Sequence, residues 1–377
     1  MTATTPTTDT FTLPTETYYS PADSSTPSTT ITIGTRRSKL AMVQTHIVAD
    51  ALSTSFPHLT IKIHGMDPLG DKDKLTALYN FNAKSLWTSE LEALLEVGEM
   101  DMIVHSLKDM PTQLPKGLVL GAVMEREDPR DALVLRRVPA SAVEEGGKEK
   151  EGRSANEILS KLPKGSIVGT SSLRRIAQMK KQYPHLKFAD VRGNVPTRLR
   201  KLDDPTSFTD QTVPDFAAIV IAVAGLVRLG LGERISAYLS KKDGGMMHAV
   251  GQGAIGIETR EDDQKVATLL KELRDWRTER AILAERSLMR TLEGGCSVPL
   301  GVETTWSADD QLTLSATVVS VEGDRSVDAE VTHKVTSREE AEELGFAVAK
   351  GMIERGAAEI LDKIHLNRKI LAEQHQA

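Results

Sequence analysis

The chain of 377 residues has a single cysteine, Cys296. One thiol cannot close an internal disulfide or build a multi-cysteine metal site, and such scarcity fits a reducing compartment. Aromatic residues make up only 4% and the formal net charge is −6. A nucleic-acid binder shows basic excess and stacking aromatics, so this composition argues against one, and against an anionic lipid surface. No uninterrupted apolar run approaches the ~18 residues of a membrane span. The nine histidines include no H-E-x-x-H and no Cys/His cluster has zinc spacing, so no metal is expected. Residues 1–30 contain no Lys or Arg. A secretory signal opens on basic residues and a mitochondrial presequence is Arg-rich, so neither fits. This Thr/Ser/Pro-rich tract, with Asp9, Glu16 and Asp23, reads as a disordered tail, and the cytoplasm is the expected address.

What is present is ordinary in bulk and specific in pattern. Hydrophobic residues make up 40% and charged residues 27%, and the length suggests two or three domains at about 150 residues each. From Ile31 a strand–turn–helix pattern recurs. Ile31–Thr35 reads as a strand, followed by Arg36, Arg37, Ser38 and a helical stretch over Leu40–Leu52. Ser166–Thr170 is followed by Ser171, Ser172, Arg174 and Arg175 at the start of a helix running to Gln182. Lys187–Val191 leads through Arg192, Gly193 and Asn194 into a helix holding Pro196 and Arg198. The apolar run Phe216–Ala224 suits a strand buried on both faces and leads to Arg228. Open α/β sheets bind ligands at the carboxyl ends of their strands, where helix N-termini and arginine forks suit anions. Four such groups placed alike point to a ligand with several separate negative charges.

A fifth unit carries an acid. Ser89–Glu99 has helical spacing, Met100–His105 reads as a strand, and Lys108-Asp109-Met110-Pro111 closes it. Asp109 would stand at the ligand edge as a proton partner or as a counter-charge to a cation. Cys296 lies in Leu292–Pro299 behind two glycines that permit close approach to the sulfur, so it suits a nucleophile or covalent anchor as well as a small buried hydrophobe. Gly251-Gln-Gly-Ala-Ile-Gly256 satisfies G-x-G-x-x-G. The stretch after it reads as a strand instead of a helix, which argues for a crossover between lobes, with Gln252 near the ligand, and against a dinucleotide site. A cysteine hydrolase would need a histidine beside Cys296; His105 and His333 stay open, with nothing else in support.

These motifs together strongly resemble the porphobilinogen deaminase (hydroxymethylbilane synthase) family. They are His105–Pro111, Val168–Arg175, Val191–Asn194 with Thr197–Leu199, Ala222–Leu226 with Arg228, Val250–Ala254 and Leu292–Pro299, in that order along the chain. The resemblance implies a transferase of tetrapyrrole (heme) biosynthesis that joins four porphobilinogen units with loss of ammonia and releases linear hydroxymethylbilane. It implies a dipyrromethane cofactor on Cys296 through a thioether, and Asp109 as the catalytic carboxylate. It implies that Lys108, Ser172, Arg174 and Arg175 hold the cofactor's acetate and propionate arms. Arg36, Ser38, Arg192 and Arg198 would receive incoming carboxylates, Arg228 would assist the growing chain, and Lys84 would belong to a loop over the site. The residues before Lys84, Tyr79–Ala83, lack the family's glycines, and Trp87 stands where Phe is usual.

The expected fold is α/β, with two doubly wound lobes like those of periplasmic binding proteins and a smaller α+β C-terminal domain. By resemblance, lobe 1 spans about 31–128 plus 249–272, and lobe 2 about 129–248 with an exposed loop insertion near 138–164. The third domain, 274–377, carries the cysteine loop. Leu312–Val321 and Asp328–Val335 alternate like strands, and Ser337-Arg-Glu-Glu340 resembles a capping box. The resemblance also implies a monomer. The rivals are a two-lobed anion receptor without chemistry, which predicts a secretion signal and no thiol, and a phosphate- or RNA-binding protein, which predicts basic excess.

Overall fold

The structure is a computed structural model that describes residues 15–19, 29–67, 85–137, 154–209, 212–292 and 298–364. Lobe 1 opens with β1 (Thr15–Tyr19) and β2 (Thr29–Arg36), then α1 (Lys39–Ser55) and β3 (Leu59–Met66). It continues through α2 (Ser85–Glu96), β4 (Met102–Ser106) and β5 (Leu118–Val123). Ser38 caps α1 by accepting from the Ala41 N–H at 3.3 Å. The helix buries Gln44, Val48 and Leu52 at four-residue spacing, with Thr45 and Ala49 beside them, against the sheet.

Lobe 2 holds β6 (Asp131–Leu135), α3 (Ala155–Lys161), β7 (Ile167–Gly169), α4 (Leu173–Gln182) and β8 (Lys187–Ala189). It is completed by α5 (Val195–Asp203), β9 (Phe216–Ala222), α6 (Val223–Arg228) and β10 (Ala237–Leu239). The chain then returns to lobe 1 for β11 (Ile255–Arg260) and α7 (Gln264–Leu270). The third domain comprises α8 (Trp276–Thr291), β12 (Leu300–Trp306), β13 (Gln311–Val319), β14 (Ser326–Lys334) and α9 (Arg338–Glu354).

The lobes share a topology. Lobe 1 has the strand order β1-β3-β2-β4-β11-β5 and lobe 2, read from its far edge, β8-β7-β9-β6-β10. In each, three parallel strands are followed by one antiparallel strand, β11 or β6. That antiparallel strand is the first to follow a crossing from the other lobe. Each sheet is covered on both faces, by apolar clusters around Ile31, Ile61 and Leu52 and around Leu91 and Ile103 in lobe 1, and around Val168 and Leu159 and around Phe216 and Leu202 in lobe 2. Parallel strands buried on both faces need such continuous apolar runs. In the third domain α8 and α9 share one core with β12–β14, and the capping box at Ser337 and Glu340 closes in both directions.

Three expectations are corrected. Residues 15–19 are not part of an unstructured tail but pair antiparallel with β3. Their two Thr and two Tyr suit a strand, Tyr18 stacks on His46 with ring centroids 4.8 Å apart, and its hydroxyl donates to Asp50. Part of the 138–164 insertion is helix α3, because Ser154 caps it and Ala155 and Leu159 bury one face. Asp243 also accepts from the N–H groups of Ala155 and Asn156, at 2.9 Å each. Third, α6 begins at Val223, inside the run read as a strand, so Arg228 sits in its last turn and not near its start. Among the described residues, no helix is long and apolar enough to cross a membrane, and no group of three or more His, Cys, Asp or Glu is arranged to hold a metal ion.

Candidate active site

The strand ends of the two lobes supply opposite chemistry. In lobe 1, β2 ends at Arg36 and β4 runs into the single turn Leu107–Asp109. Arg36, Ser38, Thr88, His105, Ser106 and Asp109, with Leu40, Ala41 and Val104, line a small cavity of mixed character of about 80 Å³. Ser106 donates to Gln44 of α1 at 2.8 Å, which fixes one wall. His105 is part of that lining, its Nε2 at 2.8 Å from the fully buried Glu258 of β11. Burial pushes the Lys108 ammonium down to about 8, and Arg175 and Arg174 of lobe 2 push the same way while Asp109 and Asp131 oppose them.

In lobe 2, Ser172 caps α4, and Arg174 and Arg175 fall in its first turn. Both are buried, and both turn onto Asp131 at the start of β6. Arg174 Nη1 donates to Asp131 Oδ2 at 2.8 Å and to the Met247 carbonyl at 2.6 Å. Arg175 gives Nε and Nη2 to Asp131 Oδ1, at 3.1 and 2.7 Å, and Nη1 to the Val220 carbonyl at 2.8 Å. Burial alone would raise the Asp131 carboxyl, but the two guanidiniums hold it far below the usual carboxylate range. Arg198 of α5 donates Nε to the Gly193 carbonyl at 2.6 Å and has no ion-pair partner among the described residues. Burial and Arg175 push it down to about 10, partly offset by Asp109 across the cleft. Arg192 bonds Asp190 at 2.9 Å, and Arg228 donates to the Gly253 carbonyl at 2.7 Å.

The crossover strands join these halves. Gly251 and Gly253 both adopt positive φ, 74° and 87°. A Cβ on Gly253 would lie 2.3 Å from the Glu127 carbonyl oxygen, and one on Gly251 3.1 Å from the Lys108 amide nitrogen. The glycine motif therefore serves close backbone packing beside the Asp109 turn, and it leads into strand β11. Gln252 is buried behind Asp131, its amide donating to Asp131 Oδ1 at 2.9 Å and to the Pro129 carbonyl at 2.7 Å. The sequence reading set it against the ligand; its hydrogen bonds are spent on holding Asp131. On the other side Arg126 forms a bidentate pair with Glu285 of α8, at 2.6 and 3.1 Å, and Glu285 also accepts from the Gly251 N–H at 2.9 Å. Arg286, the next residue, donates to the Pro111 carbonyl at 2.5 Å and so props the turn that carries Asp109.

The structure thus brings Arg36, Ser38 and Asp109 to one cavity, and sets Lys108 and Asp109 within electrostatic reach of Arg175 and Arg198. Lys84 and Cys296 lie outside the described residues, although α8 and β12, which flank the cysteine run, are described on either side. The sequence reading missed Asp131, Arg126, Glu285 and Arg286. Arg126 and Asp131 sit in the charge run Glu125–Asp131 and Glu285 and Arg286 are adjacent, so nothing local singles any of them out; Asp131 meets Arg174 43 residues on, and Arg286 meets Pro111 175 residues back.

Residues 31–268 match the family model described as porphobilinogen deaminase, dipyromethane cofactor binding domain, and residues 280–354 match the porphobilinogen deaminase C-terminal domain. The chain belongs to the porphobilinogen deaminase family. It is 47% identical over 341 residues to a porphobilinogen deaminase of Neurospora crassa, an alignment covering 90% of this chain and 95% of that one. It is 46% identical over 348 residues to that of Candida albicans, covering 91% and 95%. It is 48% identical over 339 residues to that of Yarrowia lipolytica, covering 89% and 93%. The family's acid-armed cofactor can be tested against the residues present. A cleft with Lys108, Arg175 and a partly buried Arg198 lacking a carboxylate partner is short of negative charge, and carboxylate arms would supply it. The site fits such a group.

Proposed function

We propose that this protein joins four porphobilinogen units head to tail, with loss of one ammonia per unit, on a dipyrromethane primer held by Cys296, and releases linear hydroxymethylbilane. The observation that carries the reading is the meeting, in a chain of this family, of Asp109 from lobe 1 with Arg198 of lobe 2, which has no ion-pair partner among the described residues. When bound, the dipyrromethane supplies the free pyrrole α-carbon to which substrate is joined. The rest is done by side chains. As the C–N bond of porphobilinogen breaks, its electron pair leaves with nitrogen and positive charge spreads over the pyrrole and its methylene. Asp109 steadies that charge, as fixed opposite charge does wherever a transition state develops it.

Lys108 and Ser172 meet the cofactor's carboxylates. Among the described residues Arg174 bonds through Nη1, and its other nitrogens serve a ligand carboxylate. Arg175 spends all three nitrogens inside the protein and acts through its charge. Arg36, Ser38, Arg192 and Arg198 take the carboxylates of incoming rings, Arg228 and Lys84 add cations as the chain grows, and Gln252 works through Asp131. The reading includes a monomer, as the family resemblance implies, and a cytoplasmic address, as the composition of residues 1–30 suggests.

Intact mass of the purified protein tests the proposal. An excess matching two pyrrole units is expected, absent after Cys296→Ala. Active protein with an unmodified mass would refute it.

A further inference from the structure

A ligand fastened at one point by a covalent bond and at others by ion pairs works only while those points keep their spacing. The function proposed above, on which this inference rests, puts the foot of the primer on Cys296 of the third domain and its carboxylate arms on lobe 2. Two bodies thus share one short ligand, and some element must set the distance between them. Helix α4 meets both.

Its first turn carries Arg174, whose Nη1 donates to the Met247 carbonyl at 2.6 Å. One turn later Gln178 is buried and spends its amide on that same residue. Its Nε2 donates to the Met247 carbonyl at 3.1 Å, and its Oε1 accepts the Met247 N–H at 2.8 Å. The side chain thus satisfies Met247 as a neighbouring strand would. The next residue, His248, exchanges backbone hydrogen bonds with Val302 of β12 in both directions, at 3.0 and 2.8 Å. Gly301 lies directly against the glutamine: a Cβ there would stand 2.5 Å from Gln178 Nε2 and 2.8 Å from Met247 Cβ. Strand β12 begins at Leu300, four residues beyond Cys296. Contacts therefore run without a break from a guanidinium that meets the primer's arms to the strand that follows its foot.

The carboxyl end of α4 rests on the same domain. Lys180 donates to Glu322 at 2.9 Å and Lys181 to Ser326 Oγ at 2.7 Å. Exposed contacts of this kind add little stability by themselves. The backbone approach is tighter, since a Cβ on Gly323 would lie 2.6 Å from the Lys181 amide nitrogen. The helix is seated on the third domain along its length, with Gln178 at the buried joint.

We propose that Gln178 is a positioning residue of the primer: it registers Arg174 against β12 and thereby sets the spacing between the thioether and the guanidinium that holds the cofactor's carboxylates. A slipped register misplaces the ring to be extended without disturbing substrate capture, because Arg36 and Ser38, which take incoming carboxylates, belong to the other lobe.

Gln178→Met nearly keeps the side chain's volume and removes both hydrogen bonds. The variant is expected to carry the adduct mass, to hold KM for porphobilinogen within about twofold, and to lose about tenfold or more in kcat per adduct-bearing molecule, measured well below its melting midpoint. Gly301→Ala attacks the same register from β12 with every atom of Gln178 retained, and kcat should fall with KM again unmoved. A merely structural glutamine would lower the melting midpoint and spare turnover. Both variants turning over within about threefold of the unaltered protein, per adduct-bearing molecule, would overturn the proposal. Hydrogen exchange of the unaltered protein decides the matter even if neither variant folds. The Met247 and Val302 amides should exchange as slowly as those of β9, and rapid exchange at either would sink the idea. Absence of adduct and product from the unaltered protein would sink the functional reading instead.

Discussion

The two lobes repeat one strand order yet dress it oppositely. At the edge of lobe 1 the acid Asp109 is exposed, beside a cavity lined by Arg36, Ser38 and His105. At the edge of lobe 2 the arginines of α4 are buried and committed to Asp131. The scaffold sets where chemistry can happen, namely the carboxyl ends of parallel strands. The partners of each charge set what it does there. A carboxylate left open to the cleft is available to a reacting cation, while one gripped by two guanidiniums and an amide is architecture. On the function proposed, lobe 1 is in this sense the chemical half and lobe 2 the holding half.

Asp109→Ala should break the contrast most severely. Turnover is expected to fall about 10²- to 10⁴-fold with an unchanged melting midpoint, measured by hydroxymethylbilane formation and thermal unfolding of one preparation. Ordinary turnover would strip lobe 1 of its chemical role. Asp131→Ala attacks the other side by leaving two guanidiniums buried without their carboxylate. A loss of about 3–5 kcal/mol in denaturant unfolding is expected, and a loss under about 1 kcal/mol would show that lobe 2 does not depend on this pair. The smallest effect concerns Lys108, which spans the halves. With its pKa near 8, it loses charge above that pH, and binding of carboxylate arms should weaken along an alkaline limb centred there. Stability should move the other way. The folded chain binds fewer protons at this site than the unfolded chain between about 8 and 10.5, so this contribution rises with pH across that window. Lys108→Arg should carry the activity limb to higher pH; an unmoved limb would assign it to another group.

The strand–helix alternation was legible because parallel strands are apolar throughout and their helices begin on strong caps. Ser38, Ser172, Asn194 and Ser337 all accept the backbone N–H that their position predicts. The cluster of Arg36, Ser38 and Asp109 could also be anticipated, since each follows directly on a strand end. What sequence hid were commitments across distance. Nothing local to Asp131 shows that Arg174 and Arg175, more than forty residues on, will spend their forks on it, and so Gln252 could be placed near the ligand but not behind Asp131. The β1 strand was hidden for a different reason. A Thr-rich tract without charge pattern reads as unstructured until a sheet edge, here β3, is available to complete it.

The Glu285 carboxylate grips the outgoing crossover strand by Arg126 and the returning one by Gly251, so both hinges share a single handle on α8. That helix ends at Thr291, a few residues short of Cys296. On the function proposed, one carboxylate thus ties both crossovers to the helix that leads into the run carrying the tether.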